Sequence, residues 1–361
     1  MHLFDLHAHF PMHTPFPPKP STDPHIEFKK KLMAKANDAL NYENGVARMA
    51  PDHVAAGKFG GFASVLYDAE DEFLVGRRAK RPEAIDRIEA QACNVEAEAQ
   101  QLGLVVAKDA ATVERCLHRK EKFLIHCVEG AFACGGTEAN VPRLARLGVA
   151  YLILAHFKFR NIATCASTVP HMPDAIYHLL NPQLPHQGLT GLGKRIANAA
   201  IDCGIILDVM HCTDRAREEV FRIAEHRGVP VIASHTGARQ MANYELNLSD
   251  DAMSTIARLG GVIGTIIYPY WLQPSGGTAD GLELVGATID HIAGVTHGYD
   301  HVAIGTDMDG FIEPVRECPN YAHIGVIEHF IRNRYKPEIA EQILWGNALR
   351  VLQQVWGKTR C

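Results

Sequence analysis

Eight short runs of aliphatic and β-branched residues, separated by stretches with helical periodicity, are the feature that most narrows what this 361-residue chain can fold into. The runs are LFDLH (3–7), FGGFASVLY (59–67), FLIHCVEG (123–130), VAYLILAH (149–156), GIILDVMH (204–211), VPVIASH (229–235), GVIGTIIY (261–268) and HVAIGTD (301–307). Most are apolar nearly throughout, the composition of parallel strands covered on both faces. Between them, TDRAREEVFRIAEHRG (213–228) opens on Thr213 and Asp214 as caps, keeps Ala216, Val220, Ile223 and Ala224 on one stripe, and stops at Gly228. LSDDAMSTIARLGG and TGLGKRIANAAIDCG end the same way. An open doubly wound sheet more often stops at about five or six strands, and no GxGxxG follows the first run. The pattern therefore predicts an α/β chain folded as a (β/α)8 TIM barrel, with extra C-terminal helices over 322–356 closing it.

A barrel of roughly 250 residues with long loops absorbs this length, so 1–361 reads as one unit without a linker. The proline-rich stretch 10–24 and the connection 157–188 both follow strands, which places them at the barrel mouth, where loops shape a pocket. A net charge of -5, without long runs of either sign, recommends neither nucleic acid nor an anionic membrane as partner. A small-molecule substrate fits better, and self-association is left open. Nine scattered cysteines without a CxxC pair predict reduced thiols in a cytoplasmic protein. No run is long and apolar enough to span a bilayer, and the N-terminus lacks the basic and apolar regions of a secretory leader.

The polar residues at the ends of the runs carry the chemistry. Strand one ends in His7 and His9, strand three in Glu129, and strands four, five and six in His156, His211 and His235; strand eight ends in Asp307. In a barrel those ends converge on one face. His7 and His9 point the same way because a strand has period two, and imidazole with carboxylate is a donor set that zinc selects. A single histidine at a strand end is ordinarily a hydrogen-bonded core residue. Five of them on otherwise apolar strands would each carry a desolvation cost of about 1–3 kcal/mol unless a metal or water satisfied them. The set reads as a metal centre.

The motifs FDLHAHFP, VEGA, YLILAHF, TGLGKRIANAAIDCGIILDVMHCT, VPVIASHTGAR, HVAIGTDMDG and GNALRVLQQVW, in this order, resemble those of the membrane dipeptidase (renal dipeptidase) family, a branch of the metal-dependent amidohydrolase barrels. The resemblance implies two divalent ions, zinc above all, with manganese or iron left to availability. It implies that His7 and His9 bind one ion, that Glu129 bridges to a second, and that His211 and His235 complete the second site. It also implies that His156 contacts substrate and the tetrahedral intermediate, and that Asp307 is the acid/base beside a hydroxide held between the ions. The expected reaction is hydrolysis of the amide bond of a dipeptide or dipeptide-like small molecule.

Two departures from the family pattern matter. Where the family has HxD, this chain has His7 and His9, which removes one negative charge and predicts a more acidic bridging water. Where the family carries the arginine that clamps the substrate's carboxylate, this chain has Leu246. Arg239 is the candidate replacement, with Lys158 and Arg160 after strand four, and Tyr268 is a candidate pocket residue; a surface charge and a satisfied buried tyrosine are the plainer readings of Arg239 and Tyr268. Asp309 reads as ordering its loop, Asp208 as a partner of the ligands, His126 and Cys127 as packing, and PSGGTADG (274–281) as a flexible turn. One rival is an amidohydrolase of another branch, acting on an N-acyl amino acid, cyclic amide or lactone; such branches often bridge their ions with a carboxylated lysine at the end of strand four, where this chain has His156 with Lys158 past it, so Glu129 is favoured as the bridge. A second is a barrel that binds metal without catalysis.

Overall fold

All eight runs are strands in the computed structural model, which describes residues 3–13, 27–28, 31, 34–35, 38, 41–43, 45–74, 81–168, 176–177, 179, 181–183, 187–274 and 276–358. They are β1 (Phe4–Ala8), β2 (Gly61–Leu66), β3 (Phe123–Glu129), β4 (Val149–Ile153), β5 (Ile206–Asp208), β6 (Val231–Thr236), β7 (Val262–Thr265) and β8 (Val302–Ile304). Every neighbouring pair is parallel, in the order β2-β1-β8-β7-β6-β5-β4-β3. Pairing of β2 with β3, from Gly61 opposite Phe123 to Leu66 opposite Val128, closes the sheet into a barrel. The helices alternate with the strands: α1 (Ala84–Gln101), α2 (Ala110–Arg119), α3 (Val141–Leu147), α4 (Gly191–Asp202), α5 (Asp214–Arg227), α6 (Asp250–Arg258) and α7 (Leu282–Val295). The chain is thus a (β/α)8 barrel.

The helix boundaries follow the capping chemistry of the sequence. The Thr213 hydroxyl accepts the Ala216 amide at 3.3 Å at the start of α5, and Gly228 ends it with φ of 62°. Thr190 caps α4 and Ser249 caps α6 in the same way, each accepting the amide three residues on. Two other glycines answer to close approach. A Cβ on Gly264 or Gly305 would stand 1.9 or 1.8 Å from the Ser234 carbonyl oxygen, so the barrel wall there admits no side chain.

The C-terminal segment is more broken than one or two helices. It holds α8 (Gly325–Arg334), a short helix Pro337–Glu341, a π-helical turn Gln342–Gly346 and α9 (Asn347–Val355). The Asn347 amide donates to the carbonyls of Tyr299 and Val302, which ties this cap to the entrance of β8. Two further pieces have too little apolar pattern to show in the sequence. One is a hairpin of Tyr42–Glu43 with Val46–Ala47; the other is the two-residue strand Val105–Val106, which pairs with Phe123 and Leu124 at the base of β3.

The expectation of uniformly reduced thiols needs correction. Among the described residues seven cysteines are free, but Cys203 is disulfide-bonded. Single spacing along the sequence does not report which sulfurs meet in space. Among the described residues no helix is long and apolar enough to cross a membrane. Most of the proline-rich stretch 10–24, much of 157–188, and Ser275 in the Gly-rich turn lie outside the described residues.

Candidate metal centre

The barrel brings His7, His9, Glu129, His156, His211, His235 and Asp307 into one buried cluster. Glu129, the last residue of β3, sits at its centre. Its Oε1 lies 3.0 Å from His211 Nε2, 3.5 Å from His7 Nε2 and 3.9 Å from His235 Nε2. Its Oε2 lies 3.3 Å from His9 Nε2 and 3.4 Å from His156 Nε2. Asp307 Oδ1 completes the ring, 3.2 Å from His9 Nε2 and 3.8 Å from His7 Nε2. The two oxygens of one carboxylate therefore face two different sets of imidazoles.

Backbone geometry aims the outer members. His211 and Asp307, just past β5 and β8, hold φ of 60° and 58°, left-handed values that cost non-glycine residues about 1–2 kcal/mol. Hydrogen bonds hold them there: the Ala166 amide, from the long connection after β4, donates to the His211 carbonyl at 2.8 Å, and the Asp307 amide donates to the His7 carbonyl at 2.8 Å. Asp309 and Phe311, just past Asp307, hold left-handed values as well.

The donor set fits divalent cations. Neither oxygen of Glu129 has a hydrogen-bond partner, and His7 Nε2 is likewise buried without one. His211 Nε2 and His235 Nε2 lie 3.1 Å apart. Burial lowers the pKa of His7 to about 4, and it lowers those of His211 and His235 too, so these rings are neutral at pH 7. A buried carboxylate beside three neutral rings, with His156 favouring its proton, is short of positive charge that divalent cations would supply. Burial works against ionisation of Glu129, but the neighbouring His156 and His7 hold its pKa well below the usual range.

Around the cluster lie residues that the sequence did not single out. The Ser234 hydroxyl lies 2.9 Å from His235 Nδ1 and 3.2 Å from His7 Nδ1, touching two candidate ligands at once. Accepting both Nδ1–H groups fixes the tautomer that leaves each Nε2 lone pair facing inward. Asp208, singled out in the sequence as a partner, accepts the amides of Met210 and Ser234 and interacts with that hydroxyl. Burial pushes its pKa up to about 7. Glu72, just after β2, accepts His156 Nδ1–H at 2.6 Å, the Tyr67 hydroxyl at 2.7 Å and the Lys158 amide at 2.7 Å. Burial resists charge on both Glu72 and His156. Their mutual attraction wins, lowering the Glu72 pKa and, together with Glu129, raising that of His156. In the sequence Glu72 belongs to the acidic run DAEDE, which reads as a solvated helix start; Ser234 had only its place beside His235 to betray it.

The basic candidates are engaged elsewhere. Arg239 makes a two-pronged pair with Asp214, both contacts at 2.7 Å, and donates further to the carbonyls of Glu245 and Asn247. Fully buried Arg217 donates to the Leu246 carbonyl at 2.6 Å, and the Leu246 side chain is itself buried. The two arginines fasten the loop after β6 from within, and the Arg239 guanidinium is taken up there instead of standing free for a substrate carboxylate. Arg160 pairs with Asp71 at 2.9 Å, and Lys158 Nζ rides over the Phe73 ring, 5.1 Å from its centre, without joining the cluster. Asp309 accepts the amides of Met49 at 2.8 Å and Arg48 at 3.2 Å, which orders its loop. Tyr268 lines a cavity whose walls also include Arg48 and Glu313. On β3, His126 faces away from the cluster to meet Glu96 at 3.3 Å, and Cys127 packs against the Ser64 carbonyl.

Comparison with known proteins agrees with this geometry. Residues 1–359 match the family model described as membrane dipeptidase, peptidase family M19. A curated dipeptidase, tcpJ of Claviceps purpurea, is 27% identical over 235 residues, covering 63% of this chain and 49% of its own length; the chain spans about half of that relative. An uncharacterized protein of the pqqA 5' region of Klebsiella pneumoniae is 27% identical over 255 residues, 68% of this chain and 87% of that protein. Among solved structures, a metallo peptidase from Rhodobacter sphaeroides, bound to a phosphinate mimic of the dipeptide L-Ala-D-Ala, superposes with a TM-score of 0.74 at 20% identity, covering 99% of both chains.

Proposed function

Because this chain belongs to the membrane dipeptidase family, we propose that it hydrolyses the amide bond of a dipeptide or dipeptide-like small molecule at the Glu129 cluster. The observation that carries the reading is the buried Glu129 carboxylate, whose two oxygens stand 3.0–3.9 Å from the Nε2 atoms of five imidazoles. His7, His9, Glu129, His211 and His235 would hold two divalent ions, zinc by the nature of the donors, with Glu129 shared between them. When bound, the ions supply a water made acidic enough to attack at neutral pH, and they polarise the scissile carbonyl.

Protein groups carry the remaining steps. Asp307 Oδ1, 3.2 Å from His9, is placed to take the attacking water's proton and hand it to the departing amine. Burial raises its pKa, which makes the carboxyl a better acceptor and its acid form easier to hold during transfer. His156 keeps its Nδ1–H on Glu72 and turns Nε2 into the cluster, where a protonated ring donates to the oxygen that gains charge as the carbonyl becomes tetrahedral. Glu72 thus fixes the donor's direction before substrate arrives. The relatives named as dipeptidases support dipeptides as the first substrates to try, and the Rhodobacter structure's ligand suggests an L,D pair.

The test is a hydrolysis screen of L,L and L,D dipeptides against N-acyl amino acids, with zinc and manganese compared and a chelator-treated control. Metal-dependent release of free amino acid from a dipeptide is the expected result. Turnover confined to N-acyl amino acids or lactones would favour the rival amidohydrolase reading, and metal-loaded protein with no turnover on any of them would leave a binding barrel.

A further inference from the structure

We propose that the cavity beside Tyr268 is the subsite for the substrate's carboxylate, and that Arg48 is the residue that binds it. The inference rests on the dipeptidase reading above and names a specificity determinant for it. The family's clamp position is a buried leucine here, and the three basic side chains that the sequence offered in exchange are bound elsewhere: Arg239 to Asp214, Arg160 to Asp71 and Lys158 over Phe73. A carboxylate arriving at the mouth needs another partner.

The cavity holds ≈ 620 Å³, room for an amino-acid residue, and Arg48, Arg316, Glu43, Asp280, Glu313 and Tyr268 are among the residues that line it. Two links tie it to the metal centre. The Arg48 and Met49 amides are bonded to Asp309, two residues past Asp307, so the backbone of Arg48 is tied to the loop that presents the acid/base. Tyr268 titrates high, first through burial, and the charges of both Glu313 in the cavity and Asp307 in the centre add to the effect.

Of the charged groups in the cavity, Arg48 stands to gain most from a ligand. Among the described residues its guanidinium makes one hydrogen bond, from Nη1 to the Pro319 carbonyl at 2.7 Å, its Nε is buried with no partner, and Asp309 feels its charge without a close ion pair between them. A partly buried guanidinium with a buried, unpartnered Nε and no close ion pair is incompletely compensated, and a ligand carboxylate would supply that pair. The other lining charges have less to gain. Asp280 accepts the Arg316 amide at 3.2 Å and Glu43 accepts the Asn320 amide at 2.8 Å. Arg316 is 70% exposed, 3.6 Å from Glu317, and Glu313 is exposed to water.

Calorimetry on the metal-loaded protein tests this with two phosphinate dipeptide mimics that differ only in ending as a carboxylate or as a carboxamide; hydrolysis of L-Ala-D-Ala and its C-terminal amide is followed alongside. The wild type should bind the carboxylate form more tightly. Arg48→Gln should weaken that form about 10- to 100-fold, as expected for loss of a hydrogen bond to a charged group, and the carboxamide form less than about threefold. Arg48→Lys, which keeps the charge but loses the planar fork, should fall between, and it secures the test if the glutamine variant folds poorly. Arg316→Gln should leave both affinities unchanged. Equal losses on the two mimics, or a carboxylate preference that survives Arg48→Gln, overturns the assignment of Arg48, and a wild type without preference overturns the subsite. A clear preference with neither dipeptide hydrolysed counts against the dipeptidase reading and leaves the subsite standing.

Discussion

Removing one hydroxyl, that of Ser234, should loosen the metal centre more than any comparably small change. The Ser234 oxygen touches Nδ1 of His235 at 2.9 Å and of His7 at 3.2 Å, so Ser234→Ala removes an orienting contact from two proposed ligands while leaving every ligand in place. Each lost hydrogen bond is worth about 1 kcal/mol, and two give about 2 kcal/mol, or about 30-fold in affinity. That falls inside the range of about 10- to 100-fold found when the partners of metal ligands are removed. The cavity left behind is that of a single hydroxyl, and the Ser234 carbonyl that crowds Gly264 and Gly305 is unaffected, so the barrel should keep its fold. The assay is competition for zinc against a chromophoric chelator, with elemental analysis of metal content and a thermal melt of the chelator-treated protein as the control for folding. Weakened retention with an almost unchanged melt is the expected result. Affinity within about threefold of wild type would refute the reasoning, because it would show that the imidazoles are oriented by strand geometry alone.

Glu72→Gln should lower kcat about 10- to 100-fold with KM nearly unchanged, the cost of a charge-assisted hydrogen bond of about 1.5–3 kcal/mol that orients His156; a KM effect alone, read from steady-state kinetics, would speak against that role. His9→Asp restores a carboxylate to the ligand set and should raise the apparent pKa of the acidic limb of kcat/KM, so a lowered limb in the pH-rate profile would contradict the charge argument. Arg239→Gln should cost about 1 kcal/mol of stability, since its partner Asp214 is partly exposed, and leave substrate KM alone; a denaturation curve and a KM measurement separate the two effects. Glu96 is held at a pKa of about 2, first by its hydrogen bond to His126. Its folded value is depressed, so its stabilisation is complete above the unfolded value near 4.5 and is lost as pH falls toward 2. The stability gap between wild type and Glu96→Gln, measured in urea, should accordingly be full at pH 7 and shrink as pH is lowered below about 4.5.

The fold and the outline of the centre were legible in the chain because both rest on local pattern. Continuous apolar runs announce buried parallel strands, and a polar residue ending such a run has few reasons to be there, which is how His7, His9, Glu129, His156, His211, His235 and Asp307 could be named. Residues that act across the fold left no such mark. Ser234 matters only because its hydroxyl sits between rings from β1 and β6, and Glu72 only because β2 and β4 are close enough for it to reach His156. Arg239 misled for the same reason: its position after β6 suits a clamp, and only the folded chain shows Asp214 within reach of its guanidinium.

By itself the sequence determined the barrel, the order of its strands' contributions and the inventory of imidazoles and carboxylates, since hydrophobic periodicity and capping act over a few residues at a time. Tertiary structure decided which charges are already paired. Arg48 and Arg239 are alike as letters; one is spent on Asp214, and the other is left facing an open cavity, because pairing depends on distances of a few ångströms between segments far apart in the chain.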